Sequence, residues 1–132
     1  MSVSDPIADQ LTVLRNAIRS KKKTATLKKS NILLGIMDIA KREGFIENYK
    51  VIEDSKQGQI KIYIKYSDEG APVLEYIERV STPGRRYYVP ADKVTKVRGG
   101  IGLAIYSTNK GLMTEKEAIS QKVGGELICR MW

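Results

Sequence analysis

The sequence predicts an α+β fold in two small parts: an N-terminal α-β-α-β-β arrangement over residues 1–66, and a mainly-β part over residues 73–132 with one short helix. Three observations predict it. Over Ile7 to Ile18, and again over Ile32 to Ala40, apolar residues recur at helical spacing. Apolar and polar residues alternate strictly across residues 59–66, as a half-buried strand requires. Beyond residue 72, clusters of turn residues cut the chain into short extended runs.

Each element follows from local chemistry. Ile7, Leu11, Leu14 and Ile18 form one stripe at four-three-four spacing, so the first helix is amphipathic. Asp5 suits its cap and Pro6 its first position, where a missing N–H costs nothing. The stripe ends in Ser20-Lys21-Lys22-Lys23, whose cations complement the negative helix terminus. A short extended stretch, Thr24 to Lys28, leads to a second helix capped by Ser30, with Ile32, Leu33, Ile36, Met37 and Ala40 on its inner face and Gly44 as its stop. Residues 45–52 and 59–66 read as strands of an antiparallel hairpin closed by a polar turn at 54–58, giving a small sheet with both helices on one face. Residues 67–72, Ser-Asp-Glu-Gly-Ala-Pro, carry no large apolar side chain and read as a linker. The second part reads as strands at 73–80, 86–89, 101–107 and 126–132. Thr82-Pro83-Gly84, Arg98-Gly99-Gly100, Asn109-Lys110-Gly111 and Gly124-Gly125 supply the turns between them. Thr114 with Glu117 three residues on is a capping box that opens the short helix.

Composition narrows the function. A single cysteine, Cys129, excludes an internal disulfide and fits a reducing cytoplasm; in its apolar strand it reads as a small buried hydrophobe. No run is long enough to cross a membrane, and no basic-then-apolar leader opens the chain, so a soluble cytoplasmic protein is expected. With no histidine, the usual general base, His-ligated metals and Ser–His or Cys–His nucleophiles are missing; a non-enzyme without metal or cofactor is expected. The net charge of +8 points to an anionic partner. Five of those eight charges lie in the first thirty residues, clustered at Lys21, Lys22 and Lys23 rather than spread along a helix opposite aromatics. Nucleic acid therefore fits better than a membrane surface.

Several motifs have competing readings. Gly100-Ile101-Gly102 lacks the third glycine of a dinucleotide loop and enters a strand, so that reading is rejected. Ser107-Thr108-Asn109-Lys110-Gly111 concentrates hydrogen-bonding groups with little bulk. It reads either as an ordinary hairpin turn or as a loop that meets RNA phosphate, 2′-hydroxyl and base edges. Gly124-Gly125-Glu126 reads first as a tight turn. Tyr87 and Tyr88 follow Arg85 and Arg86; alternation along a strand would bury one ring and expose the other beside an arginine, where it could stack on a base.

The motifs in order resemble one family. Asp5-Pro6-Ile7-Ala8-Asp9, Arg15-Asn16-Ala17 and Glu43-Gly44-Phe45-Ile46 are similar to the N-terminal blocks of ribosomal protein S-eight of the bacterial small subunit. So are Ser81-x-Pro83-Gly84-x-Arg86-x-Tyr88, Gly100-x-Gly102, Ser107-Thr108-x-x-Gly111-x-Met113-Thr114 and Glu117-Ala118. Gly124-Gly125-Glu126-Leu127-x-Cys129-x-x-Trp132 completes the series. The resemblance implies a structural protein that binds the central domain of 16S ribosomal RNA early in assembly, beside neighbouring small-subunit proteins. In some bacteria it also implies repression of the protein's own operon messenger through the same surface. It places RNA contacts at Ser107, Thr108 and the loop through Asn109, Lys110 and Gly111. Tyr88 with Arg86, and the Gly124-Gly125-Glu126 turn, belong to the same implied surface, and a second surface lies around Asp5, Ser30 and Asn31. Asn109 stands where the family usually has Ser, Leu27-Lys28-Lys29 where an apolar-Pro pair precedes the serine, Asn31 for a common Lys, and Ile101 for a common Leu. Lys21, Lys22 and Lys23 are expected to add backbone contacts without base specificity.

Overall fold

The structure is a computed structural model that describes residues 4–132. Mixed helices and antiparallel sheets make it α+β, as expected. The described residues form two compact units: one spans Asp9–Tyr76, and the other joins residues 4–8 to Ile77–Trp132.

In the Asp9–Tyr76 unit, α1 (Pro6–Arg19) buries Leu11, Leu14, Ala17 and Ile18, close to the predicted stripe. Its start lies just before the unit, where the Ala8 N–H donates to Asp5 Oδ1 at 3.2 Å. α2 (Asn31–Arg42) is capped by Ser30, whose hydroxyl accepts from the Leu33 N–H. Gly44 then turns the chain at φ +81°, a conformation costly for any residue with a Cβ. The sheet is antiparallel with β3 (Gln59–Ile64) between β1 (Thr24–Lys28) and β2 (Ile46–Ile52). Ile60, Ile62 and Ile64 of the central strand are buried, so the alternation in sequence is the alternation of its faces. Asp54 Oδ1 accepts from the Lys56 and Gly58 N–H groups and shapes the hairpin turn. Residues 67–72 close on themselves: the Ser67 N–H donates to the Ala71 carbonyl, and Tyr66 bridges to Pro72.

The other unit is an antiparallel sheet in the order β4-β8-β6-β7, with β5 also on β8. Its strands are β4 (Ile77–Arg79), β5 (Tyr88–Val89), β6 (Leu103–Thr108), β7 (Gly111–Thr114) and β8 (Gly125–Met131). Val94, Ala104, Tyr106, Met113, Ala118 and Leu127 form one core cluster. α3 (Glu115–Gln121) opens with the expected capping box, Thr114 and Glu117 exchanging side-chain and backbone bonds. Cys129 is fully buried, and burial pushes its thiol up to about 12, with Arg79 opposing, so it is chemically quiet at neutral pH.

Three details differ from expectation. The strand expected at 73–80 is only Ile77–Arg79, the residues in regular register with the end of β8. The Val80 and Ser81 N–H groups still donate to the Ile128 and Leu127 carbonyls, and the Val73 N–H donates away from this sheet, to the Lys65 carbonyl. β7 was not anticipated; its four residues run straight into the capping signal at Thr114 and show no alternation of their own. Tyr87 and Tyr88 do not divide between core and solvent: they are 49% and 68% exposed. β5 is two residues long and Tyr87 precedes it, so strand alternation does not govern both rings.

Candidate nucleic-acid interface

The interface is built by register. Tyr88 on β5 faces Glu126 on β8, Glu126 faces Ser107 on β6, and Ser107 faces Leu112 on β7. Directly opposed residues of antiparallel strands present their side chains on the same face, at a strand spacing of about 4.8 Å. An exposed ring, a carboxylate and a hydroxyl thus stand in one row across the end of a sheet. Register brings together residues far apart in sequence. It is aided by an irregularity in the β6–β8 pairing between Ile105 and Tyr106, which offsets the last pairs by one residue.

Beside the row is the β6–β7 turn. The Thr108 hydroxyl donates to the Gly111 carbonyl at 2.9 Å and accepts from the Lys110 N–H at 3.0 Å. Thr108 therefore holds the turn in shape, while Asn109 and Lys110 are exposed at its tip. Gly111 sits at φ +102°, a left-handed position. The half-buried Ser107 hydroxyl has no hydrogen-bond partner among the described residues, so both its donor and its acceptors are available.

Gly124 and Gly125 are required by packing within the protein. A Cβ at Gly124 would lie 2.3 Å from the Val89 carbonyl oxygen, and one at Gly125 would lie 2.3 Å from the Ser107 carbonyl oxygen. Their close approach is to β5 and β6, which lets β8 press between the two strands that carry Tyr88 and Ser107. Glu126 is likewise an organiser. Its Oε2 accepts from the Ser81 hydroxyl and from Arg86 Nη1, the latter at 2.9 Å. Partial burial raises the Glu126 pKa, but the bonds from Ser81 and Arg86 and the nearby charges of Arg86 and Arg79 outweigh it. The group is held below its ordinary value and stays ionised. Arg86 is thereby paired, though about half of its side chain remains exposed.

Ser81 is the residue that sequence reasoning passed over. It is fully buried, and its hydroxyl also accepts from the Tyr87 N–H at 3.0 Å, so one side chain ties the Tyr87–Tyr88 segment to Glu126. Its only signal was its place at the head of the Ser81-x-Pro83-Gly84 motif.

The residues expected to form an N-terminal surface have mixed roles. Lys21, Lys22 and Lys23 are exposed in the loop after α1, their backbone pinned by the Tyr66 hydroxyl on the Lys22 carbonyl and the Ile64 N–H on the Lys23 carbonyl. Ser30 caps α2, and Asn31 begins that helix, exposed. Asp5 lies in the other unit, where its Oδ2 takes Arg79 Nε at 3.1 Å in a mostly buried ion pair. It is structurally committed. Among the described residues no group of His, Cys, Asp and Glu could hold a metal ion, and no helix is long and apolar enough to cross a membrane.

Fold and site define a class: small, basic α+β proteins that offer a polar, glycine-bordered surface at one end of a sheet. The chain belongs to the family described as Ribosomal protein S8, which matches residues 5–132. Among its relatives, the protein named Small ribosomal subunit protein uS8 of Geobacter sulfurreducens is 49% identical over the full length of both chains. The equivalent protein of Geotalea uraniireducens is 48% identical, also over the full length. That of Petrotoga mobilis is 49% identical over 98% of each chain.

Proposed function

We propose that this protein is a structural constituent of the small ribosomal subunit, bound directly to the central domain of 16S ribosomal RNA. Full-length relatives that carry the small-subunit name support the first half. The row of Tyr88, Glu126 and Ser107 supports the second, and the unengaged Ser107 hydroxyl is the observation that carries it. RNA read by shape needs small polar groups held rigidly against an irregular or unpaired element. Ser107 is such a group: it stands on a paired strand, and Thr108 and Gly125 fix the backbone on either side of it. Tyr88 offers a ring face, and the Lys110 tip and the Lys21–Lys22–Lys23 loop offer charge to phosphates.

Cross-linking in cells followed by sequencing of the attached RNA tests this. One dominant footprint in a ribosomal RNA stem is expected; cross-links scattered over many RNAs would contradict it. Reads from the protein's own operon messenger in the same library would mark the repressor role, which would use the same surface.

A further inference from the structure

A groove of about 560 Å³ opens on the Ile77–Trp132 unit next to the row, and its charged lining is mostly cationic. Lys93, Lys96, Arg98 and Arg130 line it, against one acidic side chain, Glu78, which is itself paired with Arg130 at 3.1 Å. Tyr87, Tyr88, Tyr106 and Trp132 add ring surface, Tyr88 being shared with the row. Arg98 is held in a left-handed conformation, φ +49° and ψ +45°, with its guanidinium 5.0 Å from the centre of the Trp132 ring. Such a conformation is unfavourable for a residue with a Cβ. Arg130 Nε is buried and has no hydrogen-bond partner among the described residues. A buried unsatisfied donor on a groove wall is a vacancy for an acceptor.

We propose that this groove takes an unpaired nucleotide of the RNA that the protein binds, distinct from the part that meets Ser107. The base would lie against Tyr87 and the Arg98–Trp132 pair, and the phosphate among Lys93, Lys96 and Arg98. The volume falls within the range of about 300–1,000 Å³ usual for small-ligand sites and accommodates a nucleotide. Aromatic and guanidinium faces accept any base by stacking, and cations beside them track the backbone. Tyr87 is prepared for this: its N–H donates to Ser81 and its carbonyl accepts from the Leu127 N–H, so the backbone is fixed while the ring is half exposed. The inference rests on the RNA-binding reading, since it names a second contact of the same ligand.

Trp132 is the only tryptophan in the chain and reports on the groove directly. The full-length protein is titrated at low salt with single-stranded hexauridylate, exciting Trp132 selectively. A saturable change in emission is expected. The double variant Lys93→Ala/Lys96→Ala should weaken it about tenfold with its melting temperature unchanged, since both lysines are exposed and each supplies a phosphate contact. Inorganic hexaphosphate acting as strongly as hexauridylate would overturn the proposal, because charge alone would then suffice. Uridine monophosphate binding as tightly as the hexamer would also overturn it, in favour of a free-nucleotide site. No response to hexauridylate, with the cross-linked ribosomal stem still bound, overturns the groove and leaves the RNA reading standing. Loss of both overturns the reading on which the groove depends.

Discussion

At the Glu126 carboxylate, Oε2 takes two donors, one from a buried hydroxyl and one from an arginine, and the charge is compensated within the protein. That resolves the oddity of an acid on a surface offered to phosphate: Glu126 holds Ser81 and Arg86 in place, and through Ser81 the Tyr87 backbone. Its pH signature follows from the sign of its shift. The folded value lies below the ordinary 4.5, so the carboxylate's stabilisation is complete above the unfolded carboxyl range. It is lost as pH falls through the folded value. The melting-temperature gap between wild type and Glu126→Gln should therefore hold steady from neutral pH to about pH 5 and shrink below it. A gap constant down to pH 3 would contradict the account. The acid and its motif were visible in the sequence, but its partners were not. Ser81 and Arg86 lie some forty residues earlier, and only the pairing of β5 with β8 brings them to it.

Among the elements, helices and the first sheet were the most legible. Asp5, Ser30 and Thr114 cap where the sequence places caps, and the isoleucines of β3 face inward, because these features are set within a few residues of chain. The second sheet was less legible: β5 and β7 are two and four residues long, too short for any periodicity, and they exist because β8 and β6 offer them edges. The glycines show the same limit. Gly124-Gly125 reads as a turn, whereas Gly125 is needed because β6 passes against it. Gly125→Ala should destabilise the protein by about 1–3 kcal/mol, as overpacking does, measured by urea unfolding. An unchanged midpoint would mean that β8 can move away from β6 freely. Thr108→Val keeps the side-chain shape but removes both bonds that close the β6–β7 turn, so it should cost about 1 kcal/mol of stability in the same assay. Equal stability would show that the turn does not depend on its hydroxyl, and Thr108 would become free to serve RNA alone.

Over the whole molecule, charge and shape are expected to do different work. The net charge of +8 is concentrated toward the N-terminus, where Lys21, Lys22 and Lys23 project from a pinned backbone, whereas the row across the second sheet is nearly neutral once Arg86 answers Glu126. Replacing the three lysines with alanine should weaken cognate and unrelated RNA alike and lower the slope of log affinity against log salt by roughly 2–3. A loss confined to cognate RNA would place recognition in that loop instead. The central claim is that recognition lies in the row, and Ser107 tests it most directly because its hydroxyl makes no bond within the described residues. Wild type and Ser107→Ala are titrated calorimetrically against the cross-linked ribosomal RNA stem at two salt concentrations, with melting temperatures taken in parallel. The account predicts a loss of roughly ten- to a hundredfold in affinity, with the salt slope and the melting temperature unchanged. Binding within about twofold of wild type by the folded variant would contradict it.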